Sequence, residues 1–306
     1  MQVGRKVPAI IDQPILDTAT LGLLAILYAP IILHWCEGWI KKDISIEHEY
    51  FSHGLIGLPF AAYICWTNRT YWRRLPSHPH PLGAVLLLLG GGLYLIGLPD
   101  FVNPSFPLVL IGLCLWLKGP AGLRLQAFPL LLVALATPTE IPYLIAPFTL
   151  PLQHFIAATA GFILNQFALN VRVEGISLFV NDQIVEVAPY CAGLKMLFTT
   201  LYVGLMLLYW RDDISSRSRT ISLLTGGAVL SVTANVIRNT LLTFFHGTGR
   251  ESAFEWLHEG WGGDVYSACM LGLLIPLLIG IEKLFPEKSV PVADEVPALS
   301  QDAIDD

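Results

Sequence analysis

Three residues stand out for the chemistry they could do together: Cys191, Arg238 and His258. Cys191 lies in VAPYCAGLK (187–195), where a polar stretch gives way to an unbroken apolar run. A thiol in the first turn of a helix meets backbone N–H groups and the positive end of the helix dipole. Both favour thiolate over a free thiol of pKa about 8.5. Ala192 and Gly193 leave room beside it. The plainer reading is a small packing residue, a common role for buried cysteine. Cys36, Cys65, Cys114 and Cys269 suit that role, because they lie in apolar stretches or at their edges. No CxxC or CxxxC pair occurs, so neither a disulfide framework nor a structural zinc site is expected.

Arg238 sits late in the apolar helical stretch SVTANVIRNTLL (231–242), with Asn235 and Ser231 on the same face one and two turns earlier. An arginine at the centre of a membrane helix costs about 2.5–3.5 kcal/mol on insertion scales, and less near an interface. It therefore faces a partner or a wet cavity, or else it snorkels to lipid headgroups. Snorkelling does not require a polar stripe, and Asn235 and Ser231 make one. His258, in EWLHEGWGGDVYSA (255–268), has the one ordinary side-chain pKa suited to proton exchange near neutrality. Alone it reads equally as an interfacial histidine.

Together the three supply the parts for nucleophilic acyl transfer: a thiolate, a charge stabiliser and a proton carrier. His53, in YFSHGL, is a candidate to line the substrate cleft or orient a catalytic group, or is an interfacial structural residue. Glu186 is a candidate substrate contact or supporting carboxylate, or a surface charge of a hairpin. His246, in FFHGTGR, competes with His258 for the role of base, and helix geometry alone does not choose between them.

These residues need a membrane-embedded scaffold. The chain of 306 residues is 54% apolar and only 14% charged, with a mean hydropathy of +0.60. Apolar blocks of about 20 residues suit membrane crossings. The net charge of −6 comes without a basic patch interleaved with aromatics, which argues against nucleic-acid binding. Hydropathy places eight crossings, at 17–36, 53–67, 82–98, 102–118, 123–142, 191–210, 219–244 and 264–281. The first is expected to be uncleaved, since no short core with a small-residue cleavage site precedes it. The block 143–168 is long enough to be a ninth, but Pro147, Pro151, Gln153 and His154 interrupt it.

Charge arbitrates. Arg and Lys gather at Arg5 and Lys6, in NRTYWRR (68–74), at Lys118–Arg124 and in WRDDISSRSR (210–219), which should be cytoplasmic. That count holds only if 143–168 makes no net crossing, so it should be re-entrant or interfacial. Cys191, the end of helix 219–244 and the 245–263 loop then share the outer side. The stretch 171–187, partly alternating and β-branched with an Asn181-Asp182 turn, predicts a short hairpin leading into Cys191. The expected fold is thus an all-α polytopic membrane domain over 1–285, with its site on the extracytoplasmic face. Residues 286–306 predict an acidic, disordered cytoplasmic tail.

The runs EVAPYCAGLK, ANVIRNTLL and LHEGWGGDVYS, with EYFSHGLIGLPF (49–60) ahead of them, resemble the signature blocks of the exosortase and archaeosortase family of multipass membrane cysteine transpeptidases. The match runs in order over most of the chain. It implies Cys191 as nucleophile, Arg238 as catalytic arginine and His258 as catalytic histidine. Ala192 departs from the Ser or Thr usual after the cysteine; the subgroup resembled is the cyanobacterial-type exosortase. The implied partner is a secreted protein with a C-terminal sorting tail: a Pro-Glu-Pro-like (PEP-CTERM) motif, a transmembrane helix and a basic end. Such a cysteine protease or hydrolase would act from the inner (plasma) membrane, forming an acyl-enzyme resolved by an acceptor nucleophile. His53, Asn235, Glu186 and Gly193 are the expected supporting residues, with no cofactor or metal. The rival class is a transporter or scaffold with a polar pathway around Arg238. Neither an internal repeat nor paired broken helices are visible to favour it.

Overall fold

The computed structural model describes residues 13–41, 49–167, 169–181, 183–187, 193–258 and 260–286. Helices α1 (Gln13–Lys41), α2 (Gly54–Thr67), α3 (Arg69–Arg74), α4 (Pro81–Ile96), α5 (Pro99–Leu125), α6 (Ala127–Ala136), α7 (Ile141–Ile145) and α8 (Leu150–Gln166) come first. Strands β1 (Val171–Glu174), β2 (Ser177–Val180) and β3 (Gln183–Glu186) follow. Helices α9 (Leu194–Trp210), α10 (Arg217–Gly247), α11 (Glu251–His258), α12 (Trp261–Gly272) and α13 (Leu274–Leu284) complete the chain. Among the described residues, Gly22–Lys41, Pro99–Leu125, Ile141–Gln166, Arg217–Gly247 and Trp261–Leu284 are long and apolar enough to cross a membrane. The helices α2, α4, α6 and α9 are apolar but shorter. The chain is an all-α multipass membrane protein with one small sheet.

One expected crossing is remade by local chemistry, and another ends at a kink. The expected span 123–142 is not one helix: its longest helical piece is Ala127–Ala136, which stops because Thr137 is extended (φ −72, ψ 120) ahead of Pro138. Helix α5 is two helices joined at Gly119, whose φ of 62 and ψ of −156 are non-helical. There the buried Lys118 Nζ donates to the Leu75 carbonyl at 2.9 Å and to Ser77 Oγ at 3.2 Å.

The bundle has two chemically distinct poles. Helices α2 and α6 run antiparallel: His53 meets the Leu135 carbonyl at 3.1 Å at one end, and Asn68 Nδ2 donates to the Leu125 carbonyl at 3.2 Å at the other. Tyr209 at the end of α9 stacks on Phe128 with centroids 4.1 Å apart, so α9 ends at the Asn68 pole. That pole also holds Arg211 paired with Glu282 at 2.9 Å, and the buried Arg219–Asp213 pair with Arg219 Nε on the Phe285 carbonyl. The basic segments 68–74, 118–124 and 210–219 thus share one pole. Gly193, the end of α10 and the start of α12 share the other.

The helical run 141–166 is broken by a 3-10 turn at Ala146–Thr149. Ile145 packs against the cluster of Trp35, Trp39 and Leu194. At the far end Asn165 exchanges hydrogen bonds of 3.0 and 2.8 Å with the backbone of Val171. The sheet is itself tied to the end of α10 by Asn181 Nδ2 donating to the Gly247 carbonyl at 2.8 Å. Both ends of the run therefore pack against elements of the Gly193 pole.

The expected hairpin is a three-stranded antiparallel meander, β1-β2-β3. Gly175 (φ 64) supplies a second turn beside the one at Asn181 (φ 47), and a single turn residue pair had hidden it. The buried face of this sheet, Val171, Leu178 and Val180, packs with Ile156, Ala157, Ala160 and Leu164 of α8 and Val236 of α10. The tail 287–306 lies outside the described residues.

Candidate active site

The polar stripe of α10 is buried. Ser231 and Asn235 are 1% exposed and Asn239 is 2% exposed. Asn239 Nδ2 donates to the Asn235 carbonyl at 2.9 Å, and Thr243 Oγ1 to the Asn239 carbonyl at 2.8 Å. Arg238, half-buried on the neighbouring edge, donates from Nη2 to the Leu257 carbonyl at 3.4 Å. Its guanidinium is therefore turned toward the junction of α11 and α12 rather than out to lipid headgroups. Tyr266 of α12 donates its hydroxyl to the Ala234 carbonyl, fixing that helix against α10.

The entry to α9 is set by a glycine. Gly193 has φ 81, a left-handed conformation that disfavours other residues, and it lies on the side chain of Asn235. A Cβ on Gly193 would stand 2.6 Å from Asn235 Cγ. Cys191, two residues earlier, lies outside the described residues; α9 begins only at Leu194, after the left-handed Gly193, so the first turn of α9 does not contain Cys191 as the sequence had suggested.

A cavity of about 740 Å³ opens at this pole, and Gly193, Asn235, Arg238, His258 and His53 all line it. Five of the residues singled out from the sequence thus line one cavity. Residues from six segments converge there: the end of α1, the approach to and start of α2, α9, α10, α11 and α12. His53 is 5% exposed, its ring 4.4 Å from that of Tyr202 and bonded to the Leu135 carbonyl, which places it deep on the α2 side.

Two residues go elsewhere. His246 sits 3.3 Å from Glu251 and its ring packs on Phe254 at 4.9 Å; it does not line the large cavity. Of the two histidines, His258 lines the large cavity and His246 does not; the resemblance had pointed to His258, helix geometry alone to neither. Glu186 is exposed on β3 and lines a different, smaller hollow of about 130 Å³ with His246 and His258. It does not line the cavity that holds Arg238: β3 packs against α10 from Asn239 toward its C-terminal end, beyond Asn235 and Arg238.

A family model described as transmembrane exosortase (Exosortase_EpsH) matches residues 39–275. The chain belongs to the transmembrane exosortase family. No curated protein and no solved structure matches it. The exosortases are membrane protein-processing enzymes of the cysteine transpeptidase kind, and the match covers every residue of the cavity wall.

Sequence reading passed over three exosortase residues on that wall. Lys195 and Glu49 form an ion pair of 2.7 Å across 146 positions of sequence, and Asp264 lies beside Gly263 at the head of α12. All three fall within the motif runs already quoted, EYFSHG, VAPYCAGLK and GWGGDVYS. With both side chains about one-third exposed, the pair is worth about 0–1 kcal/mol and acts as a tether between the approach to α2 and the start of α9.

Proposed function

We propose that this exosortase cleaves secreted proteins at a C-terminal sorting tail, with Cys191 as nucleophile, Arg238 as charge stabiliser and His258 as proton carrier. The observation that carries the reading is the shared cavity: Arg238 and His258 line one wall with Gly193, the residue two positions after Cys191. The substrate is a protein whose Pro-Glu-Pro-like motif precedes a transmembrane helix and a basic end. With the substrate helix in the bilayer, that motif stands at the extracytoplasmic face of the plasma membrane. The grouping of basic segments at the opposite pole supports this orientation.

The Cys191 thiolate attacks the scissile carbonyl, and the oxyanion is held by positive charge from Arg238. His258 protonates the leaving amine, so the tail departs and a thioester to Cys191 remains. An acceptor nucleophile then gives its proton to His258, attacks the thioester and releases the thiolate. Mass spectrometry of a processed substrate tests this directly. The expected result is a new C-terminus inside the sorting motif, formed by wild-type enzyme and absent with Cys191→Ala. An unaltered substrate with abundant, membrane-inserted wild-type enzyme would sink it.

A further inference from the structure

Glu186 and the hollow it lines take no part in thiolate attack, yet they adjoin the proton carrier. Among the described residues, His258 alone lines both the large cavity and the smaller hollow. The hollow, about 130 Å³, has room for several waters or an aminoalkyl group. Its walls are β3, the outer end of α10 and α11.

The chemistry of those walls favours a cation. Glu186 contributes a carboxylate, and neither lysine nor arginine lines the space. Phe254 presents an aromatic ring, stacked on the His258 ring with centroids 5.1 Å apart and 4.9 Å from that of His246. A carboxylate beside an aromatic face is a favourable setting for an ammonium group. Asn239, 2% exposed, adds a side-chain amide from the buried stripe.

We propose that this hollow is the acceptor subsite and that it takes a primary amine. The inference rests on the processing reading, whose thioester it consumes. The amine enters as its ammonium form, attracted by Glu186, and loses a proton to His258. The free amine nitrogen then forms a bond to the thioester carbonyl carbon. The carbon–sulfur bond breaks and its electron pair returns to Cys191 as thiolate. The second proton lost from nitrogen goes to solvent, leaving an amide. Substrate therefore arrives from one side of His258 and acceptor from the other.

The test uses full-length enzyme with a sorting-tail substrate in lipid nanodiscs, ethylamine as the probe acceptor and ethanol as its uncharged counterpart. Mass spectrometry reads the ratio of amide or ester to free acid, and tail release is followed in parallel. Glu186→Gln is expected to raise the half-saturating ethylamine concentration about fivefold, more than it changes tail release. Glu186→Asp should raise it less, Val185→Trp should suppress amide by filling the hollow, and the ethanol response should not move with Glu186. Equal ethylamine saturation in wild type and Glu186→Gln, or acid without amide at every ethylamine concentration, overturns the subsite while leaving processing intact. Absence of tail release by wild type overturns the processing reading and the subsite with it.

Discussion

Gly193 rests directly on Asn235: a Cβ at position 193 would lie 2.6 Å from the amide carbon and 2.8 Å from Nδ2. The same glycine holds φ at 81, which costs an ordinary L-residue about 1–2 kcal/mol. Gly193→Ala should therefore lower substrate cleavage at least about tenfold, that cost being close to a decade in an equilibrium. Adding Asn235→Ala should restore part of the loss by removing the amide, though not the strain. Cleavage per molecule of membrane-inserted protein is the measurement, and full activity of Gly193→Ala would show that this contact does not set the site.

Arg238 separates two kinds of electrostatic help. Arg238→Ala should lower cleavage about 10²–10³-fold, the usual effect of deleting a transition-state donor. Arg238→Lys keeps the charge and loses the planar fork, so intermediate activity points to a diffuse field, and alanine-like activity to a directed contact. Normal cleavage by Arg238→Ala at normal abundance would return the residue to a purely structural role.

The histidines offer a paired comparison. His258→Ala should cost about 10²–10⁴-fold in cleavage, as loss of a general acid–base does. His246→Ala should keep tail release within about threefold, a change no larger than deleting one partly exposed ion pair brings. The reverse order of effects would transfer the proton-carrying role to His246.

Cys191→Ala should abolish cleavage without lowering abundance, and Cys191→Ser should be nearly as inactive because a hydroxyl ionises far less readily than a thiol. Replacing Cys36, Cys65, Cys114 and Cys269 together should cost some stability and spare the chemistry. In that background a thiol-reactive substrate peptide should label one site, located by peptide mapping. Labelling at any other residue would contradict the nucleophile assignment.

Orientation can be read with impermeant thiol reagents on intact cells. A thiol at His258→Cys should react from outside, and one at Ser216→Cys only after the membrane is opened. The opposite pattern would invert the protein and remove the geometric match to a sorting tail.

The site was legible in the sequence where one residue type carries a large energetic penalty. Arg238 in an apolar helix demanded a wet or polar neighbour, and Ser231 and Asn235 pointed to the side on which it would be found. Positive charge likewise predicted which segments share a pole, and from that count 143–168 was expected to make no net crossing. Relations made by long-range packing were opaque. Nothing local in EYFSHG announces that Glu49 will meet Lys195, and Glu186 follows the course of a strand whose neighbours are set by α10 and α11. Hydropathy also overran at 123–142, because an average over apolar residues does not register that Pro138 forbids helix at Thr137.

The short helices carry a consequence for the lipid. Helix α6 has 10 residues, or about 15 Å of rise against a hydrocarbon core of about 30 Å, while α2 runs on through the helical Asn68 (φ −73, ψ −7) into α3. A bilayer of ordinary thickness is expected to thin beside α6, or flanking residues to stretch to its surfaces, at a fraction of a kcal/mol for each ångström of mismatch. Acyl-chain length is thus a variable the protein responds to independently of any substrate. Short-chain lipids fit its waist, and long-chain, sterol-thickened ones strain it.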